Sequence, residues 1–376
     1  MADRALPPPA SVGMPLALID TPALLLDLDA FEHNLDTLDR SLAGRTVRVR
    51  PHAKSHKCPA IARLQVQRGA VGVCCQKVSE AEALVDGGIT DVMISNEIIG
   101  ADKLARLAAL ALQAHISVLV DAVDGVDALQ AAAAAVGASF DVLVEVDVGA
   151  GRCGTLPGAP AAALARHITR QSDLHFRGIH AYHGGAQHLR TPAEREQAVA
   201  AATALVRNTL DALAAIGLTA EIVTGAGTGT YPIEAAGGIY NEIQPGSYVF
   251  MDADYGRNLD AEGKPLRAFR QSLFVLATVM SRPTPTRAVV DAGHKSHAID
   301  SGLPLVADVP GARYTRASDE HGVIDLDDPA ALPLGAKVRL VPGHCDPTVN
   351  LHDWLVCIRN GSVEAIWPIA GRGAFY

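Results

Sequence analysis

Cysteine is scarce in this chain and follows no framework: Cys58, Cys74, Cys75, Cys153, Cys345 and Cys357 lie scattered in apolar or turn segments. A disulfide scaffold is thereby excluded, and buried thiols in a reducing compartment, the cytoplasm, are expected. Basic charge is also short, with 32 Lys and Arg against 41 Asp and Glu, a net charge of −9 and a pI near 5.8. Nucleic acid is therefore not expected as a partner, because the only basic cluster surrounds Lys54. The N-terminal stretch lacks a basic start followed by an unbroken apolar run and carries Pro7-Pro8-Pro9 instead. Neither a signal peptide nor a membrane span is expected from it.

What is present is enough apolar sequence for a large core: 49% of the 376 residues are hydrophobic and 19% charged. That length accommodates one barrel-sized domain and a smaller one. Strand-like segments at 46–50, 70–75, 91–95, 116–120, 141–146, 176–182, 220–224 and 242–248 alternate with helical patterns at 58–68, 79–86, 101–113, 123–135, 159–171 and 192–216. An earlier apolar segment, 23–28, precedes helical spacing at Phe31, Leu35, Leu38 and Leu42. Eight strands alternating with helices predict an α/β fold built on a parallel (β/α)₈ barrel. Beyond residue 254 the texture changes to short alternating segments broken by Pro283, Pro285, Pro304, Pro310, Pro329, Pro333 and Pro342, which predicts an antiparallel β-domain. The expected division is 22–254 for the barrel and 255–376 for the β-domain, with residues 1–21 packing on the latter.

Chemistry in such a barrel belongs just after the strand ends. Lys54 follows the first strand within the basic turn His52-Ala53-Lys54-Ser55-His56-Lys57. An amine there can form a Schiff base with an aldehyde cofactor if its surroundings lower its pKa, whereas taken alone the solvated basic loop is the stronger reading, because most loop lysines are only surface charges. Gln76, Asn96, Asp121, Asp147 and Arg152, then Tyr182, His183 and His188, follow the next five. Thr224 to Thr230, with Gly225, Gly227 and Gly229, follow the seventh strand, and Gln244-Pro245-Gly246-Ser247 ends the eighth. Backbone N–H groups in a glycine turn can converge on one anion, which makes this turn with Thr228 a candidate phosphate cradle; the plain alternative is a tight turn that needs positive φ. In the C-terminal part, His344 and Asp346 would face one side of an extended segment and Cys345 the other. An imidazole with a carboxylate suits a divalent cation, although an HxD pair by itself is common.

These segments together resemble the metal-activated pyridoxal-phosphate enzymes that include D-threonine aldolase and D-serine dehydratase, which share the alanine-racemase-like fold. The resemblance rests on Arg50-Pro51-His52-Ala53-Lys54-Ser55-His56-Lys57, Val73-Cys74-Cys75-Gln76-Lys77, Glu145-Val146-Asp147-Val148-Gly149, Gly151-Arg152-Cys153-Gly154, Ala181-Tyr182-His183-Gly184, the glycine turn, Gln244-Pro245-Gly246-Ser247-Tyr248, Asp319-Glu320-His321-Gly322 and Gly343-His344-Cys345-Asp346-Pro347.

The resemblance implies pyridoxal 5′-phosphate on Lys54. It also implies a cofactor pocket of Gln76, Arg152, Tyr182, Thr224, Gly225, Gly227, Thr228, Gln244, Gly246 and Ser247, and a divalent metal on His344 and Asp346. Aspartate stands where the serine dehydratase branch has cysteine, and this harder ligand favours Mn²⁺, with Mg²⁺ or Co²⁺ as alternatives. Neutral Gln244 stands where alanine racemases place an arginine against the pyridine nitrogen. The implied reaction is retro-aldol cleavage of a D-3-hydroxy-amino acid by a homodimer, with His188 or a metal-bound hydroxide as general base. Dehydration of D-serine or 3-hydroxyaspartate is the alternative, and a non-catalytic cofactor carrier is disfavoured by the long segment after residue 254.

Overall fold

Residues 7–376 are described by the computed structural model; the expectations for residues 1–6 lie outside the described residues. The chain enters through β1 (Ala23–Asp27), whose Asp27 then caps the helix Leu28–Ser41 by accepting from Ala30 N at 3.0 Å. Phe31, Leu35 and Leu38 form the buried stripe of that helix, as their spacing requires.

Eight parallel strands follow: β2 (Arg48–Val49), β3 (Val73–Cys75), β4 (Asp91–Glu97), β5 (His115–Val120), β6 (Phe140–Glu145), β7 (Leu174–Ala181), β8 (Ile222–Gly225) and β9 (Glu242–Ile243). Their order in the sheet is β2-β9-β8-β7-β6-β5-β4-β3. The ring closes where His52 bridges Cys74, with Val71 N and Cys74 N donating to Val49 O and Pro51 O. β4, β5 and β6 are buried through their apolar centres and β7 only over its second half, whereas β2 and β9 are two residues each. The expected strand at 242–248 is cut short because Pro245 has no N–H to give the ladder, and the chain turns into the 3₁₀ segment Ser247–Val249. A buried Arg50 ties the two short strands in place, its guanidinium bonding Glu242 at 3.1 Å and Asp91 at 2.5 Å. Outside the sheet run helices such as Pro192–Ala215, where Pro192 opens the first turn and Thr191 and Glu194 form a reciprocal capping box.

The second sheet comprises β1 with β10 (Leu273–Thr284), β11 (Arg287–Val290), β12 (Leu305–Val306), β13 (Ala312–Ala317), β14 (Gly322–Leu326), β15 (Lys337–Val341), β16 (Trp354–Arg359) and β17 (Ser362–Pro368). β1, counted with the barrel on sequence, lies in the middle of this sheet, antiparallel to β10 and parallel to β16. Its five residues are almost wholly apolar, as a strand covered on both faces demands. The short leading segment packs there too, with Gly13 N donating to Val363 O and Ile19 fully buried. The tail returns to the barrel: Gly371 N donates to Lys57 O, and Ser79 N to Tyr376 O. No described helix is long and apolar enough to cross a membrane.

Candidate active site

Lys54 sits in a 3₁₀ turn, Ala53–Ser55, that follows β2 because Pro51 ends the strand. Its side chain enters a cavity of about 290 Å³ at the ends of the barrel strands. Gln76, Arg152, Tyr182, Gly227, Thr228, Gln244, Gly246 and Ser247 line the same cavity, so most of the predicted pocket is brought together. Thr224 and Gly225 stand behind this lining: the Thr224 hydroxyl accepts from Gln244 Nε2 at 2.9 Å, and a Cβ on Gly225 would strike Ala181 O at 2.4 Å. Gly227 has the same need for closeness, since a Cβ would meet Gln187 Oε1 at 2.6 Å.

The glycine turn after β8 differs from its sequence reading in one respect. The left-handed residue is Ala226 (φ +64), while neither Gly225 nor Gly227 has positive φ. Glycine serves here for packing, letting the backbone of 226–228 form the cavity wall. Thr228 anchors it by accepting Tyr248 N at 3.0 Å.

At the other end of Lys54 stands Asp346, whose carboxylate is in direct contact with Nζ. Burial opposes the charge on Lys54, but Asp346 and Tyr182 beside it hold its pKa above the ordinary lysine range. The condition that the surroundings lower this pKa is therefore not met by the protein alone. Burial would raise the pKa of Asp346, and Lys54 with His344 instead holds it below the usual carboxylate range. His52, also in the cavity, is pushed well down by burial and by Lys54; its Nε2 lies 2.9 Å from Gln76 Nε2 and 3.2 Å from Ser95 Oγ.

His344 and Asp346 do not lie on an extended segment. His344 is the extended N-cap of a short helix, Cys345–Val349, and Asp346 is in its first turn. The two still line one outer cavity of about 600 Å³ together with Lys54 and Asp300, while Cys345 is turned inward. Asp300 Oδ2 lies 2.7 Å from His344 Nδ1, which leaves Nε2 as the ring nitrogen free to ligate. This donor set fits a divalent cation through one imidazole and one carboxylate, with open positions for water or substrate. Among the described residues no group of three or more His, Cys, Asp or Glu is arranged to hold a metal.

His188 ends the 3₁₀ segment Gly184–His188, outside the lining of either cavity. Its Nδ1 is 2.5 Å from Asp254 Oδ2, and its ring lies 5.2 Å from that of Tyr255, which does line the inner cavity. Asp254 is held low despite its partial burial because Arg190 and His188 bond it. Sequence reasoning missed Ser95, His180, Ala226 and Tyr255 in the inner cavity, and Asp300 beside the metal pair. His180 was within reach, since it stands two residues before Tyr182 at the end of β7 and both line the cavity. Asp300 was not, because only the fold carries it next to His344.

The alanine racemase N-terminal domain family matches residues 26–254, and the serine dehydratase domain matches 272–358. The D-threonine aldolase of an Arthrobacter species is 50% identical over 370 residues, covering 98% of this chain and 97% of that protein. The chain belongs to the D-threonine aldolase family. A 3-hydroxy-D-aspartate aldolase of Paracoccus denitrificans is 47% identical over 372 residues, with 98% and 96% covered. The crystal structure of the family member from Filomicrobium marinum superposes with a TM-score of 0.95 at 51% identity, covering 99% of this chain and all of that one. The likeness thus extends over both sheets of the aldolase fold.

Proposed function

We propose that the protein is a pyridoxal-phosphate- and metal-dependent aldehyde-lyase that cleaves D-3-hydroxy-amino acids, taking D-threonine to glycine and acetaldehyde. The observation that carries the reading is the contact between Lys54, at the end of a barrel strand, and Asp346 of the HxD pair. It joins an amine suited to an aldehyde cofactor to a carboxylate suited to a cation, with Lys54 and Gln76 lining both cavities.

Lys54 Nζ would hold the cofactor aldehyde, with Thr228, Ser247 and the backbone of Gly225, Gly227 and Gly246 about its phosphate. Arg152, Tyr182, Gln76 and Gln244 would surround its ring, and Thr224 would brace Gln244. When bound, pyridoxal phosphate accepts the electron pair of a bond broken at Cα. His344 and Asp346 would hold the cation, Mn²⁺ by preference, which supplies the charge that lowers the pKa of a β-hydroxyl. His188 would take the hydroxyl proton at Nε2, because Nδ1 is committed to Asp254. Asp254 in turn is fixed by Arg190 and Arg257, each at 2.6 Å, so the imidazole is held in one orientation. The protein is read as a cytoplasmic homodimer.

The test is incubation of the cofactor-loaded protein with D-threonine, with and without EDTA. Acetaldehyde and glycine that vanish with EDTA and return with Mn²⁺ are expected. Ammonia with 2-oxobutyrate would reassign the protein as a dehydratase, and the absence of any product would overturn the lyase reading.

A further inference from the structure

The chain end beyond β17 runs along the outer cavity, and the reaction above gives it no task. Gly371 N donates to Lys57 O at 3.0 Å, and Gly373 N to Asn350 Oδ1 at 3.2 Å. Lys57 Nζ donates to Ala374 O at 3.4 Å, Tyr376 N to Ser79 Oγ at 3.2 Å, and Ser79 N to Tyr376 O at 2.9 Å. Chain ends fray unless they are tied down. This one is tied to the turn after β2, to the barrel helix Val78–Asp86 and to the C-cap of the helix that carries Asp346.

The tail brings Ala374 and Phe375 into the lining of the cavity that also holds Lys54, His344 and Asp346. Ala298, Ile299 and Pro347 add apolar surface from the β-domain. Most charge in this wall is matched: Lys57 Nζ lies 3.1 Å from Glu80, His344 bonds Asp300, and Lys54 bonds Asp346. Lys77 also lines it, with no ion-pair partner among the described residues. Lys57 Nζ stands over the Phe375 ring, 5.3 Å from its centroid, yet Phe375 remains 58% exposed. An aromatic ring held in place and left in water gains free energy when an apolar group covers it.

A β-hydroxyl placed on a cation at His344 and Asp346 leaves the other substituent of the same carbon in the cavity that those residues share with the tail. At about 600 Å³ that cavity has room for far more than a methyl group. We propose that the C-terminal tail is the substrate-selecting wall of this site, with Phe375 as a specificity-determining residue whose ring, steadied by Lys57, covers an apolar β-substituent. The inference rests on the lyase reading above. It gives the tail a part in choosing the substrate and none in the bond cleavage.

The experiment compares the full-length protein, loaded with pyridoxal phosphate and Mn²⁺, with Phe375→Ala and Phe375→Tyr. It measures kcat and KM on D-threonine and on D-3-phenylserine, through release of acetaldehyde and benzaldehyde. In Phe375→Ala the ratio of the phenylserine to the threonine kcat/KM should fall roughly 3–10-fold, chiefly through KM, the range for loss of one aromatic pair. Phe375→Tyr keeps the ring and should restore the ratio. A substitution that merely loosened the fold would slow both substrates alike. That result, or an unchanged ratio, would overturn the inference while leaving the lyase reading intact. So would a parent that prefers 3-hydroxy-D-aspartate to phenylserine, because the wall would then serve a carboxylate through Lys77. No aldehyde from any of these substrates in the parent would overturn both.

Discussion

At the scale of single residues, the decisive feature is that several site groups are aimed by a second residue. His188 is aimed by Asp254, and His344 by Asp300. His188→Ala is expected to lower turnover by about 10²–10⁴-fold, the range for loss of a general base, while leaving the absorbance of the bound cofactor unchanged. Steady-state rates beside a spectrum check this, and parental turnover would remove His188 from the reaction. Asp300→Asn should weaken Mn²⁺ binding by roughly 10–100-fold, because the imidazole loses the partner that fixes its tautomer. A Mn²⁺ titration followed by electron paramagnetic resonance reads that affinity directly; parental affinity would mean that Asp300 merely neighbours the site. Lys54, Tyr182 and the HxD pair were legible in sequence because they sit in short motifs at strand ends. Ser95, Tyr255 and Asp300 carry no such mark, and the cavity gathers them from distant segments.

At the scale of elements, the alternation of strands and helices foretold the barrel because β4, β5 and β6 each carry a buried apolar run, at 92–94, 118–120 and 142–144, bounded by turns. β2 and β9 are too short to announce themselves, and their places follow from the chemistry around Arg50. The small helix Tyr231–Ala236, which follows the glycine turn, also went unread; it hides a titrating group. Glu234 lies within it, accepting from Thr230 Oγ1 at 2.9 Å, and burial pushes its carboxyl up to about 7. A folded-state pKa above the unfolded value near 4.3 means that the bound proton stabilises the fold at low pH. That contribution, on the order of 3 kcal/mol, declines as pH rises from about 4.3 and is lost above 7. Glu234→Gln, which has no proton to lose, should flatten the fall in melting temperature between pH 5 and pH 8. Parallel curves for parent and variant would count against the assignment.

At the scale of the whole molecule, the two sheets are stitched together at three places. β1 enters the second sheet before the barrel begins, the chain returns to that sheet at β10, and the tail beyond β17 reaches back to Lys57 and Ser79. Sequence pattern assigned β1 to the barrel because pattern registers an apolar strand and not its partner. Unfolding is therefore expected to be a single transition, as in one cooperative unit. Both tryptophans, Trp354 and Trp367, lie in the second sheet, so their fluorescence reports that sheet while far-ultraviolet circular dichroism is dominated by the helices around the barrel. Coincident urea curves are expected from the two signals, and separated midpoints would show that the stitching is weak. The central position of β1 also bears on how the protein is made. Leu26 pairs with Leu273 and Cys357, neither of which exists when Leu26 leaves the ribosome. At about 5–20 residues per second, the strand waits on the order of ten seconds or more for its first neighbour, an apolar strand with open edges. Nascent chains of this protein should thus be clients of whatever shields such strands during translation, and slow codons within the barrel would lengthen that exposure.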